Sequence, residues 1–268
     1  MNSQLRSVVI VGARGRMGKT LVRAVLESED LTLIGAVDRS GAPGGAQDAG
    51  RLVGLPESGV EIVEELRPTR GSIVVDFSLP EATDTNVRRC VESGVALVMG
   101  TTGIAESSRQ LIARASREIP IVHAANFSVG VTLLVRLAAI AARSLGPEWQ
   151  PELFELHHRH KRDAPSGTAL RIASAVAETS GSNLETMAIR DRSARTTPRG
   201  DHEIGLASLR GGDSIGEHTL MFLGEQERLE LTHRAHDRAI FARGALRAAR
   251  WIGDRPPGLY DMADVLGL

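Results

Sequence analysis

Aromatic residues are scarce in this chain: five Phe, two Trp and one Tyr are spread over 268 residues. A core for such a sequence has to be built from Val, Ile, Leu and Ala, which suits an α/β enzyme better than a β-sandwich. Cysteine is scarcer still. The single Cys90 excludes an internal disulfide and fits a reducing compartment, and its place in a helical stretch makes it core filler rather than a nucleophile. Neither sign of charge dominates: Lys+Arg 32 against Asp+Glu 33 leaves a formal net charge of -1. The basic residues are dispersed, so there is no electrostatic footprint for nucleic acid or an anionic membrane. Long apolar runs are missing as well. The first apolar stretch covers only residues 8–11 before Gly12 and Arg14, too short for a signal-peptide core or a membrane span. The expectation is a cytoplasmic protein that works on small molecules, with no nucleic acid and no membrane among its partners.

What is present is a repeating pattern. Short β-branched runs at 8–11, 31–37, 73–76, 96–99 and 121–123 alternate with helical stretches near 17–27, 81–91 and 107–117. Repeated βαβ units imply a parallel sheet covered on both faces. After Asn126 the order changes. A long Ala/Leu-rich helix at 131–145 leads to a strand at 153–158 and a helix at 168–178, then strands near 205–209, 218–222 and 228–232 follow one another with turns such as Gly211-Gly212-Asp213. Consecutive strands suggest a mixed or antiparallel sheet. The Arg-rich stretch 190–201 reads as a mobile loop, and a last helix at 238–251 is placed to pack back on the first domain. The fold class is therefore α/β: a Rossmann-type parallel-sheet domain, residues 1–127 plus 237–268, with a second α+β mixed-sheet substrate domain at 128–236.

Directly after the first strand comes Gly12-Ala13-Arg14-Gly15-Arg16-Met17-Gly18-Lys19-Thr20. Glycines at 12, 15 and 18 of a strand-to-helix turn let backbone approach a pyrophosphate closely, with the helix N-terminus facing its charge. Asp38 ends the second strand, where an acidic residue accepts from ribose hydroxyls. Arg39 beside it can pair with a 2′-phosphate, so both NADH and NADPH are candidate cofactors. The same residues resemble a Walker A loop ending in Gly-Lys-Thr, with 73–76 as a Walker-B-like strand. Against that reading, Ala13 replaces the first glycine of the pattern and Lys19 falls inside the helix. Two further loops lie where a doubly wound sheet places ligands, Gly100-Thr101-Thr102-Gly103 and Ala124-Ala125-Asn126-Phe127. They either orient a nicotinamide carboxamide or are ordinary capped turns.

Residues 154–170 read FELHHRHKRDAPSGTAL, with His157, His158 and His160 of the eight histidines within four positions, then Lys161, Asp163 and a Pro-Ser-Gly-Thr turn opening a helix. Strand alternation puts His158 and His160 on one face and His157 with Arg159 on the other. A strand ending in titratable groups and feeding a helix N-terminus can hold an anion on free N–H groups and protonate it. Zinc is the alternative for histidines two apart near an acid, but the lone cysteine is distant and the following lysine repels a cation, so no metal is expected. The bland alternative is a solvated polar strand end.

The segment from Glu155 to Ala169 closely resembles the signature of the 4-hydroxy-tetrahydrodipicolinate reductase (dihydrodipicolinate reductase) family. The likeness spans nearly the whole chain: Arg16-Met17-Gly18, Asp76-Phe77-Ser78, Gly100-Thr101-Thr102-Gly103, Ala125 to Gly130, Arg210-Gly211-Gly212-Asp213, Gly216-Glu217-His218 and Leu231 to Ala235. Asp38 stands where some members carry Glu. The resemblance implies NAD(P)H-dependent reduction of a cyclic imine dicarboxylate with loss of water, in diaminopimelate and lysine biosynthesis. It implies His157 and Lys161 as the acid–base pair, His158 with Gly167 and Thr168 as substrate ligands, and Ser166 as helix cap or ligand. Arg162 and Asp163 are expected to shape the turn. The resemblance further implies a homotetramer assembled through the second domain. Two other readings stay open at this point, a different nicotinamide-dependent dehydrogenase of amino-acid metabolism and a non-catalytic nucleotide-binding regulator.

Overall fold

The computed structural model describes residues 5–39, 47–193 and 195–268. In chain order the elements are β1 (Arg6–Val11), α1 (Arg16–Leu26), β2 (Leu31–Val37), α2 (Ala49–Leu52), β3 (Ile62–Val63), β4 (Ile73–Asp76), α3 (Thr83–Ser93), β5 (Ala96–Met99), α4 (Glu106–Ala115) and β6 (Pro120–His123). Then come α5 (Val129–Leu145), β7 (Gln150–His157), α6 (Gly167–Ala177), α7 (Leu184–Met187), β8 (Ala188–Ile189), β9 (Ile204–Arg210), β10 (Gly216–Leu223), β11 (Arg228–Ala235), α8 (Ala239–Ile252), β12 (Gly258–Tyr260) and α9 (Met262–Leu266). The chain divides into two compact units. One comprises residues up to Val129 together with Arg238–Leu268, the other Gly130–Asp237.

The first unit is a seven-stranded parallel sheet in the order β12-β6-β5-β4-β1-β2-β3. The order reverses between β1 and β4, and in open α/β sheets that switch point is where ligands bind. Alternate residues of each strand serve opposite faces. Val8, Ile10, Val75 and Val98 pack with α1 and α8, whereas Val9, Val74, Leu97 and Ile121 pack with α3 and α4. Helix α1 buries Gly18, Leu21, Val22 and Val25, an i, i+3, i+4, i+7 stripe. Helix α8 belongs to this unit and approaches so closely that a Cβ on Gly244 would lie 1.7 Å from the Phe127 carbonyl oxygen.

The second unit is a five-stranded mixed sheet, β11-β10-β7-β9-β8. Strand β7 is central: it runs antiparallel to β10 and parallel to β9. Its buried positions Pro151, Leu153, Glu155 and His157 alternate with half-exposed ones. The apolar members of that face pack with Ile172, Ala173 and Val176 of α6 and with Leu134 and Ala138 of α5. Polar Glu155 and His157 continue the same buried row. Among the described residues of the Arg-rich stretch before β9, Arg192 and Arg195 pair with Glu203 at 2.7 and 2.5 Å, and Arg199 pairs with Glu152 at 3.1 Å.

Candidate active site

Strand β7 stops at His157 because the loop before β10 takes over its hydrogen bonds. The Gly211 amide donates to the His157 carbonyl and the His158 amide to the Ser214 carbonyl, after which the Lys161 amide closes a turn on the His158 carbonyl. His158 and His160 thus sit in a turn, with ring centroids 6.2 Å apart, and not on one strand face. The alternation expected of them fails, since a period of two holds only while the strand lasts and β7 ends at His157. His157 obeys it and is buried at 7% exposure.

The register of β7 sets the surroundings of His157. Strand β9 places Arg210 beside His157, and β10 places His218 beside Glu155. Glu155, 1% exposed, accepts from Arg210 through both terminal nitrogens at 2.8 Å, from the Ser166 amide at 3.1 Å, and from His157 Nδ1. The Ser166 hydroxyl caps α6 by accepting from the Ala169 amide and lies 3.0 Å from His218 Nε2. The Ser166 side chain is buried at 2% exposure and committed to the helix end, which favours the cap over the ligand. Gly167 opens the first turn of α6 exposed, with nothing within 4 Å of where a Cβ would stand, and Thr168 is half-buried beside it. Lys161 Nζ pairs with Asp163 Oδ2 at 2.9 Å, so Asp163 is a counter-ion as well as a turn former.

Burial raises the Glu155 carboxyl, but the Arg210 and His157 hydrogen bonds outweigh it and hold the group down at about 2. Burial pushes His157 below the ordinary histidine value, opposed by Glu155 and reinforced by the charges of Lys161 and Arg210. Burial and the neighbouring His157 take His218 to about 4. At neutral pH the cluster therefore contains an ionised Glu155–Arg210 pair, two neutral imidazoles and the Lys161–Asp163 pair. Among the described residues no group of three or more His, Cys, Asp or Glu could hold a metal ion.

The glycine loop of the first unit fits a dinucleotide. A Cβ on Gly18 would lie 1.9 Å from the Gly12 carbonyl oxygen, and one on Gly12, whose φ is +81°, would lie 2.9 Å from the Phe77 carbonyl oxygen. Gly15 is the N-cap of α1 and no side chain caps that helix. The Arg14 and Arg39 amides donate to Asp38 at 2.7 and 2.9 Å, tying the loop to the end of β2. Arg14 Nε and Nη1 are buried with no hydrogen-bond partner among the described residues, as a cation awaiting an anionic ligand would be. Arg16 and Met17 begin α1 and Ala13 is in the core. Lys19, on which a Walker A loop would depend, lies inside α1.

Gly100 follows β5, where a Cβ would strike the Phe77 ring at 2.2 Å. The buried Thr101 hydroxyl donates to the Ser78 carbonyl, while Thr102 is exposed. Ala124, after β6, is buried and its amide donates to the Met99 carbonyl, and Ala125 is exposed. Asn126 Oδ1 accepts from the Ser128 amide, and the Phe127 ring is 5.3 Å from that of Phe77 in the core. Any contact of Thr101 or Phe127 with a ligand falls to their backbone. Cys90 is buried, and burial pushes its thiol far up, as suits core filler.

A switch-point sheet with a glycine loop, followed by a mixed-sheet unit carrying a buried acid–base cluster, is the build of a two-domain nicotinamide-dependent oxidoreductase. The chain belongs to the dihydrodipicolinate reductase family: the model of that family's N-terminus matches residues 6–127 and that of its C-terminus residues 130–266. It is 46% identical to the 4-hydroxy-tetrahydrodipicolinate reductase of Alkalilimnicola ehrlichii over 97% of this chain and 98% of that one. It is 48% identical to the protein of that name from Thiobacillus denitrificans, with the same coverage. Among solved structures, the dipicolinate-bound dihydrodipicolinate reductase from Paenisporosarcina sp. TG-14 shares the fold, with a TM-score of 0.74 at 24% identity over 97% of this chain and 99% of that one.

The sequence marks the His157–Lys161 segment by local crowding but assigns Glu155, Arg210 and His218 no role. Glu155 carried a signal, being an acid two residues before His157 and so on the same buried face of the strand. Arg210 and His218 carried none of their own, because strand register alone brings them in.

Proposed function

We propose that the protein catalyses the NAD(P)H-dependent reduction of 4-hydroxy-tetrahydrodipicolinate to tetrahydrodipicolinate with loss of water, a step of diaminopimelate and lysine biosynthesis. The observation that carries this reading is the His157–Lys161 strand end, backed by Glu155 and Arg210 and leading into the capped N-terminus of α6. Its specific residues coincide with the segment that resembles the family signature. A bound nicotinamide supplies the hydride, and one proton must enter as water leaves. Lys161, the cation of the pair, delivers that proton, and neutral His157 receives hydrogen bonds beside it. The first turn of α6, at Gly167 and Thr168, holds a substrate carboxylate where the helix dipole favours negative charge, with His158 as a further ligand.

The residues of the first unit would hold the cofactor through the loop from Gly12 to Met17, with Asp38 and Arg39 at the ribose, and Gly100 to Thr102 and Ala124 to Phe127 at the far end. Asp38 favours NADH and the cations Arg39 and Arg14 favour the 2′-phosphate of NADPH, so both cofactors are used. Among the described residues no helix is long and apolar enough to cross a membrane, and we place the enzyme in the cytoplasm as a homotetramer. The test is the decay of NADH or NADPH absorbance with and without the product of the preceding synthase step. Turnover that depends on that product, and that pyridine-2,6-dicarboxylate inhibits competitively against it but not against NADH, is the expected result. Absence of product-dependent oxidation with either cofactor overturns the reading.

A further inference from the structure

Glu155 is more deeply buried than the groups that react, and its donors, the Ser208 hydroxyl among them, fill both oxygens. Arg210 takes one bond to each oxygen at 2.8 Å, the Ser166 amide adds a third to Oε1 at 3.1 Å, and His157 Nδ1 is the fourth, on Oε2. An ionised carboxylate has no hydrogen to give, so in the His157 bond the imidazole must be the donor. A neutral imidazole carries one hydrogen, which leaves Nε2 bare. The structure keeps space at that nitrogen: a Cβ on Gly216 would lie 2.8 Å from Nε2 and 3.2 Å from Cδ2 of His157. Arg210 also donates to the Asp163 carbonyl at 2.6 Å, joining the carboxylate to the turn that carries the Lys161–Asp163 pair. The charged and titratable groups around His157 are therefore Glu155 on its own strand, Arg210 on β9, His218 on β10 with its ring edge-on at 5.2 Å, and Lys161 in the turn.

We propose that Glu155, clamped by Arg210, is a positioning residue that holds His157 with its hydrogen on Nδ1, so that Nε2 meets the substrate as an acceptor and Lys161 is the proton source. This division of roles rests on the reductase reading, although the tautomer itself does not. Gly216 is the steric partner of the arrangement, because it leaves Nε2 uncovered. Such orientation of an imidazole through its far nitrogen follows the logic of a catalytic triad, in which the buried acid does not itself take up the proton.

The experiment begins with nitrogen-15 spectra of histidine-labelled wild-type enzyme, assigned with His157→Gln. His157 Nδ1 is expected as a protonated, pyrrole-type nitrogen and Nε2 as an unprotonated, pyridine-type one at neutral pH. The reverse overturns the proposal whether or not the protein turns out to be this reductase. The second arm is Glu155→Gln, whose amide oxygen faces the Arg210 donors and turns its NH2 toward Nδ1, forcing the hydrogen to Nε2. A fall in kcat of about 10²–10⁴-fold with KM changed by less than about threefold is expected, the usual worth of an acid–base group placed wrongly. The acid limb of kcat/KM should also move to lower pH, since loss of the Glu155 charge makes His157 harder to protonate. Unchanged kcat and an unmoved acid limb overturn the proposal. If Glu155→Gln does not fold, Arg210→Lys serves in its place, with a smaller loss of kcat and the wild-type tautomer retained. Wild-type kcat, or the reversed tautomer, in Arg210→Lys overturns the proposal.

Discussion

Two cations carry the proposed single-residue roles, Lys161 toward the substrate and Arg39 toward the cofactor. Lys161, with 22% of its side chain exposed, is held by the more exposed Asp163 at 59%. A surface-facing pair of this kind is weak, worth about 1 kcal/mol or less, so a dianionic substrate can draw the ammonium away from Asp163 at small cost. With Lys161 as the proposed proton donor, the loss on removing it belongs to the transition state. Lys161→Ala should lower kcat by roughly 10²–10⁴-fold and leave the binding of NADH by titration calorimetry unchanged. A variant with normal kcat and only a raised KM would reduce Lys161 to an electrostatic clamp. Arg39 offers the parallel case for the cofactor. Its backbone amide donates to Asp38 and its side chain is exposed, as the proposed contact with a 2′-phosphate requires. Arg39→Ala should raise KM for NADPH far more than for NADH, and equal losses with both would remove Arg39 from the ribose site.

At the level of elements, the glycine loop works because helix α1 lies against it with no side chain between. The Cβ of an alanine at 18 would stand 1.9 Å from the Gly12 carbonyl oxygen and 2.7 Å from the Ala13 Cα, both backbone atoms that a rotamer change cannot relieve. Gly18→Ala should therefore push α1 off β1, cost about 1–3 kcal/mol as overpacking does, and weaken NADH binding at least tenfold. Unaltered melting temperature and NADH affinity would show that the loop gives way freely. Much of this was legible in the sequence, because fully buried parallel strands read as β-branched runs and the glycine spacing marks the turn between β1 and α1. Strands β3 and β12 were not legible: at two and three residues they are too short to carry a pattern and form by pairing with the sheet edge. The same limit applied in the site. His157 and Lys161 announce themselves by local crowding, whereas Arg210 reaches Glu155 across 55 residues and His218 reaches Ser166 across 52. Long-range register, which no local spacing encodes, makes those contacts.

For the whole molecule, the remaining question is what covers the second face of the mixed sheet. One face is filled by α5 and α6 and by the polar cluster around Glu155. The register places Phe154 and Leu156 of β7 beside Ala207 and Leu209 of β9 and opposite Thr219 and Glu217 of β10 on the other face, with Met221 and Leu223 further along β10. Leu209 is 48% exposed and Phe154, Leu156, Met221 and Leu223 are half-buried, and on the same face Glu217 pairs with Arg234 at 3.2 Å. That face sets partly exposed apolar side chains among Glu152, Thr219 and Glu217, and we propose it as the association surface. Because the same strands carry Glu155, Arg210 and His218 on their other face, assembly through this surface would also stiffen the acid–base cluster. Light scattering should give the mass of four chains of 28.7 kDa for the wild type. Leu209→Glu, which sets a charge on that face without touching the buried row, should shift the mass toward two chains or one and lower the melting temperature in a concentration-dependent way. It should leave NADH affinity unchanged, since the glycine loop belongs to the other unit. A wild-type mass of one chain, or a Leu209→Glu variant that remains four chains, would rule out this sheet face as the assembly surface.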